Sequence, residues 1–498
     1  MATTAANVTK ALLSTSSTWA CGGDVVKMGL TAISLVPTWA ATSKRAGRHQ
    51  SFSISAIPSE GLVLTRPGAY HLTQNVAVQF KANATAITIT GNNVCLDLCD
   101  FEVCHSRHSQ EFSNTCIGVA VAANTQGVEV RNGRLLGFGL YGVVAVESTD
   151  LRLHGLQISG ARCRDVATSC AGILLFGCGD SAVTHCSVTD VRVDCMGYVG
   201  VNIKLSRNVV VDYCTVWNVR NGSGGATAFA VLGCNDVNVR ACRMVDMSTG
   251  GTAGPTGHTC SGVLVSLCTA VAVTLCRILN VRGSCDDAHG VAIFVCGSSI
   301  RVLKCNIEHV TSGFTPVATG AKATGIEVIG ANAVVVEDCV VRTVLAMRPQ
   351  DLQCAAFAAG TCTDVTFRRC RASHVRCLDH SGTKPKPSAD GIGVAFGWGP
   401  DPRPAFVKPA LSTRYISCYA EHCDVGFDFF MSIGAVLEGC TAKAVRESVR
   451  DDPMEARTLT CNACSECTPS LSTRIVNQGH GNVYGHTTLT GRPYAFGV

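Results

Sequence analysis

A short template, V-x-V-x-x-C, recurs through the middle of this 498-residue chain and constrains its fold more than any other feature. It reads Val94-Cys-Leu96-Asp-Leu-Cys99, Val237-Asn-Val239-Arg-Ala-Cys242, Val271-Ala-Val273-Thr-Leu-Cys276, Ile300-Arg-Val302-Leu-Lys-Cys305, Val334-Val-Val336-Glu-Asp-Cys339 and Val365-Thr-Phe367-Arg-Arg-Cys370. Aligning the intervening stretches gives one equivalent position per repeat: Cys99, Gly133, Leu156, Cys186, Cys214, Cys242, Cys276, Cys305, Cys339, Cys370, Cys418 and Cys440. A second landmark precedes each template, a glycine followed by alternating apolar residues. It stands at Gly118, Gly142, Gly172, Gly200, Gly262, Gly290, Gly325, Gly391 and Gly426, with Ala228 and Ala356 in its place twice. Each repeat therefore holds three short strands: one after the glycine, one at V-x-V and one after the cysteine. No segment keeps a helical period over ten residues.

Strand triplets repeating every few tens of residues cannot bury an apolar face alone, so they stack. The pattern predicts an all-β, single-stranded right-handed parallel β-helix of about 12 coils, a rod of roughly 55 Å at the strand spacing of a sheet. Composition agrees: charged residues are 15%, apolar residues 47%, and 50 glycines accompany 15 prolines. That balance excludes a disordered tail, a coiled coil and a collagen-like fibre. Three segments are expected. Residues 1–56, rich in Ala, Ser and Thr, form a poorly ordered leader without a clean secretory signal. Residues 57–449 form the β-helix, and 450–498 a C-terminal cap and tail covering the last coil's open edges. The longest uncharged run, Thr259–Cys276, alternates with the strand period and contains Ser261, Ser266, Thr269 and Thr274, so no transmembrane span is expected.

The stretch Ile57-Pro-Ser-Glu-Gly-Leu-Val-Leu-Thr-Arg-Pro-Gly-Ala-Tyr70, followed by His-Leu-Thr-Gln-Asn-Val-Ala-Val and by Ala86-Ile-Thr-Ile-Thr-Gly-Asn-Asn-Val-Cys-Leu-Asp-Leu98, resembles the opening of pectate-lyase-like right-handed β-helix proteins. The likeness covers roughly residues 57–449. It implies a fold and not one reaction, because that superfamily hosts lyases, hydrolases, epimerases, phage tailspikes and non-enzymatic surface proteins. The Cys- and Arg-rich coils also resemble proteins encoded by large DNA viruses.

Thirty cysteines in a chain with ample apolar core need not be staples. Many fall at inward positions, where a free thiol behaves as a small hydrophobe, so folding in a reducing compartment is favoured, with a virion or surface location as the alternative. The formal charge of +5, with arginines scattered singly along the chain, argues against nucleic acid as a partner.

Polysaccharide-cleaving relatives place acids or a base on the outward face of one strand column, because glycosidic cleavage needs two carboxyls at fixed separation and lyase chemistry needs a base with charge neutralisation. The column two residues after each opening Gly or Ala reads Ala120, Val144, Leu174, Asn202, Ala230, Leu264, Ala292, Glu327, Ala358, Gly393 and Asp428. It is mostly apolar, and Glu327 and Asp428 are three coils apart, about 14 Å, so the face reads as covered. Asn202 and Lys204 are its polar spot: a carbohydrate-binding pair, or an exposed pair beside a loop. Long loops leave one corner and form a rim. Its polar clusters are Asp286, Asp287 and His289, then Asp379, His380 and Asp390. An acid beside a histidine can serve as base and orienter, or simply as solvated turn chemistry. Cys461, Cys464 and Cys467 have metal-ligand spacing without a fourth cysteine, so they mark only a weak metal site. No cofactor is called for.

Two readings follow. The first is a non-enzymatic structural or surface-binding β-helix, presenting its rim to glycans or partner proteins, including further copies of itself. The second is a polysaccharide lyase or glycoside hydrolase using the rim acids. The apolar outward column favours the first.

Overall fold

The computed structural model describes residues 50–443 apart from 80–82, 106–114, 251–258, 285–286, 314–321, 348–353, 379–392, 398–409, 429–431 and 434; beyond 443 it describes the strands Glu447–Arg450, Leu459–Asn462, Arg474–Val476 and Val483–Tyr484. Strand pairing among these residues is parallel throughout, and no helix is present. The opening strands stack in one column: Ile117–Val121, Tyr141–Val146, Arg162–Phe176, Ser187–Lys204, Gly225–Leu232, Thr259–Ser266, Asp287–Phe294, Ala323–Ile329, Cys354–Gly360 and Gly393–Gly397. The V-x-V strands and the strands after the cysteine form two further columns. The chain is thus an all-β solenoid, as the repeats predict. Among the described residues no helix is long and apolar enough to cross a membrane, and the run Thr259–Cys276 contains the two successive strands Thr259–Ser266 and Thr269–Thr274.

From Cys186 to Cys418 each corner cysteine follows a residue in the left-handed region. His185, Tyr213, Ala241, Leu275, Lys304, Asp338, Arg369 and Ser417 have φ between 49° and 56°. That twist turns the chain sharply and drives the next side chain into a narrow buried corner. Cys186, Cys214, Cys242, Cys276, Cys305, Cys339, Cys370, Cys418 and Cys440 occupy it, all at most 2% exposed and stacked in register. Thiols suit the corner because they are small and apolar yet carry a weak donor. The sulfur of Cys339 lies 3.5 Å from the Val302 carbonyl and 3.4 Å from that of Glu337, and Cys370 meets the Val336 and Arg368 carbonyls at 3.4 Å. The first member of the column differs from expectation. Leu98, not Cys99, sits under Gly133, where a Cβ would come within 2.3 Å of the leucine; Cys99 takes a left-handed turn and is exposed.

A second corner column was not apparent in the sequence: Cys178, Ser206, Cys234, Cys268, Cys296, Ala331 and Cys362, all small and buried. The cysteines from Cys95 to Cys440 whose side chains are described are free thiols, and all but Cys95, Cys99 and Cys104 are buried. Burial pushes the thiols of Cys296 and Cys362 up to about 11, so near neutrality they remain S–H donors.

The opening glycines answer to space rather than to backbone twist. A Cβ on Gly290 would meet the Gly325 carbonyl oxygen at 2.5 Å and Ile307 at 2.6 Å. In the coil at 393–397 the equivalent residue is Ala395, not Gly391, which lies outside the described residues; the outward partner of Ala358 is accordingly Gly397 rather than Gly393. Pairing also crosses both expected boundaries. Ser51–Ile54 pairs with Gly68–Leu72 ahead of residue 57, and Leu459–Asn462 and Arg474–Val476 extend the columns beyond 449. Finally, stacking overturns the expectation of scattered arginines. Arg162, Arg192 and Arg220 are register partners on successive coils.

Candidate functional site

The outward column of the opening strands is buried along most of its length. Val144 is 1% exposed, Ala230 1%, Ala292 0% and Ala358 2%, and the polar members Asn202, Glu327 and Asp428 are buried as well. Glu327 is three pairings away from Asp428, through Ala358 and Gly397, so the two acids cannot share a glycosidic bond.

Glu327 is not isolated, however. Its Oε1 is 2.5 Å from Lys322 Nζ and its Oε2 is 3.0 Å from His289 Nδ1, on the coil below. His289 and Glu327 are each 1% exposed, and Lys322 is 5% exposed. The His289 approach is an ion-pair contact whose angle does not suit an N–H bond, and His289 Nε2 has no hydrogen-bond partner among the described residues. The ring packs edge-on against Phe294, centroids 5.8 Å apart. Burial opposes ionisation of Glu327, but the Lys322 ammonium and His289 outweigh it and hold the carboxyl at about 2. The carboxylate is therefore ionised, neutralised and dry. It has neither the raised pKa of a general acid nor access to a substrate.

The rim candidates separate. His289, expected in a solvated cluster with Asp286 and Asp287, is buried against Glu327 instead. Asp287 is half-buried and its Oδ1 accepts the Lys322 backbone N–H at 2.9 Å, which anchors that lysine's segment. Asp286, Asp379, His380 and Asp390 lie outside the described residues. So do Cys464 and Cys467, while Cys461 lies in a strand paired with Leu437. Among the described residues no group of three or more His, Cys, Asp or Glu side chains is arranged to hold a metal ion.

Asn202 is 4% exposed and not an exposed loop residue; its Oδ1 has no hydrogen-bond partner among the described residues. Lys204 stands in register between Phe176 and Leu232, and burial lowers its pKa. Asn202 is thus buried, and Lys204 half-buried between its apolar neighbours.

Open, decorated surface lies at another corner. His154, His185 and Tyr213 are exposed and follow one another along the solenoid, His154 meeting His185 edge-on and His185 stacking on Tyr213, with centroids 5.2 Å apart at each step. Arg240 lies over Tyr213 at 6.0 Å, held by a charge-assisted pair to Asp212. On the same coil, Trp217 is 44% exposed, and its indole N–H donates to Asp246 at 3.0 Å, which fixes the ring at the surface. Farther along is a groove of about 710 Å³ lined by Asp338, Arg369, Arg371, Tyr419 and Glu421. The polar turn residues between these faces form a hydrogen-bonded ladder: Asn218 donates to Asp190 and Asn280 to Asp246, each at 2.8 Å.

The family model described as a right-handed β-helix region matches residues 117–372, which is more than half of the chain. The chain belongs to the right-handed β-helix family. Solved structures similar to this β-helix include the alginate lyase AlyF-OU02 in complex with G6 (9% identity, TM-score 0.44, covering 83% of this chain and 86% of that one). Another is PfbA, a surface adhesin of Streptococcus pneumoniae (8%, TM-score 0.39, 80% and 84%). A third is an aspartate-to-alanine variant of the catalytic domain of a GH87 α-1,3-glucanase in complex with nigerose (10%, TM-score 0.35, 89% and 64%). Nothing among curated proteins matches the sequence. At these identities the likenesses concern the fold, whose hosts include both enzymes and an adhesin.

The Glu327 cluster was half legible. Glu327 is the one acid on its stretch of the outward column, and the repeat alignment puts His289 one coil below. Lys322 gave no signal, because it lies outside the strand pattern and reaches Glu327 from the segment entering the strand.

Proposed function

We propose that this β-helix is a non-enzymatic binding protein that contacts glycans along its outer surface. The observation that carries this reading is the state of Glu327: the acid on the column where a polysaccharide-cleaving relative would place its machinery is buried, ion-paired and three coils from the next acid. Exposed rings offer what that column lacks. His154, His185 and Tyr213 present stackable faces along the axis, and aromatic faces pack against the apolar faces of sugar rings. The rim remains part of the proposed surface, through Asp287 at its base.

The test is a glycan array on the full chain, run beside assays for released reducing ends and unsaturated uronates. Binding without release is expected, with Tyr213→Ala losing affinity. Product release by the intact protein that Asp287→Asn abolishes would replace this reading with the lyase or hydrolase alternative.

A further inference from the structure

Arg162, Arg192 and Arg220 follow one another on three successive coils, register partner on register partner, and all three are exposed. Arg220 is followed in the same column by Ser248 and then by exposed Arg282. Adjacent coils lie about 4.8 Å apart. Like charges stacked directly across a ladder repel and destabilise the sheet. Some arginines of this chain are neutralised, Arg131 by Asp97, Arg240 by Asp212, Arg342 by Glu308 and Arg369 by Asp338, whereas the stacked pair Arg243 and Arg277 has no ion pair among the described residues. Among the described residues none of the four column arginines has an ion pair, although Asp190 and Asp194 flank Arg192 two residues to either side. Three exposed guanidinium groups aligned on successive coils without a counter-charge form a column that an anionic ligand can neutralise.

We propose that the column Arg162–Arg192–Arg220, with Trp217 beside it, is a binding site for an acidic polysaccharide laid along the solenoid axis. This rests on the glycan-binding reading and supplies its ligand class. Guanidinium forks grip carboxylates bidentately, and the coil spacing repeats one fork at about the length of a sugar residue. Trp217 lies three residues before Arg220, across the turn at Asn218, and its exposed indole offers a stacking surface for a pyranose ring. Nucleic acid fits less well. A duplex carries a phosphate charge about every 1.7 Å of its axis, whereas this site is a single column on a chain of net charge +5.

The experiment measures binding of the full chain to polygalacturonate, to a neutral glucan of similar length, to duplex DNA and to phosphatidylserine vesicles over a range of salt. Wild type is compared with the triple variant Arg162→Gln/Arg192→Gln/Arg220→Gln. Wild type should prefer polygalacturonate. The triple variant should bind it at least about thirtyfold more weakly, with the slope of log affinity against log salt reduced by about three, one per arginine. Its thermal midpoint should hold or rise, because the variant removes repulsion, so lost binding is not lost folding. Polygalacturonate binding unchanged in the triple variant would overturn the site while leaving the glycan reading intact, as would a wild type that prefers the neutral glucan. Stronger binding to DNA or vesicles at equal salt would overturn the ligand class. A wild type that binds neither glycan would overturn the reading on which both rest.

Discussion

Replacing Glu327 by glutamine keeps the shape of a fully buried side chain and removes its charge. The ammonium of Lys322, 5% exposed, and the ring of His289, 1% exposed, would then face a neutral amide in a dry site. Removing one member of a buried ion pair leaves an uncompensated charge and costs about 3–5 kcal/mol. That is a large fraction of the roughly 5–15 kcal/mol by which a domain is stable. Equilibrium guanidinium unfolding followed by circular dichroism should show the loss as a lower midpoint at pH 7. The double variant Glu327→Leu/Lys322→Met, which removes both charges and keeps volume, should recover to within about 1 kcal/mol of wild type. The pH dependence has a defined sign. The carboxyl's folded pKa, about 2, lies below its ordinary 4.5, so the stabilisation is fully present above about pH 4.5 and fades as pH falls towards 2. Wild type and Glu327→Gln should therefore converge in stability across that window. A Glu327→Gln protein within about 0.5 kcal/mol of wild type at pH 7 would refute the claim that this cluster is a paired structural charge.

Other expectations follow from the same geometry. Gly290→Val should destabilise by about 3 kcal/mol or more, or abolish soluble expression, because a Cβ there meets backbone and Ile307 at 2.5–2.6 Å; Gly61→Ala is a poorer probe, since its φ of 92° adds strain to crowding. Cys305→Leu should cost about 1–3 kcal/mol by overpacking the corner, and Cys305→Ala less, as measured by chemical denaturation. Alkylation of the native protein should modify Cys99 ahead of the buried column, with mass spectrometry locating the label and Cys99→Ser removing that early phase.

The repeat period carried the architecture because a solenoid is nearly one-dimensional: each coil meets only its neighbours, so inward residues recur at the same place in every repeat. The cysteine corner was legible for that reason, from Cys186 to Cys440. The mistake at Cys99 has a physical source, since Leu98 and Cys99 adjoin a left-handed turn, and sequence spacing does not say which of two neighbours turns inward. The second corner column is hidden in the sequence because Ser206 and Ala331 interrupt its cysteines; what recurs along the rod is small volume and not one residue type. Asn202 is polar, which in a sequence suggests solvent, yet it stands in register between Leu174 and Ala230 and is buried.

By itself the sequence determined the strand triplets, the parallel stacking and the scarcity of acids on the outward column, since all three are properties of one repeat copied along the chain. Only the tertiary structure decided which charges meet. Lys322 and His289 are brought to Glu327, and Arg162, Arg192 and Arg220 are aligned into a column, by register between coils some thirty residues apart in sequence. Register depends on loop lengths that vary from coil to coil, and the charge of a single repeat contains no record of its neighbour above or below.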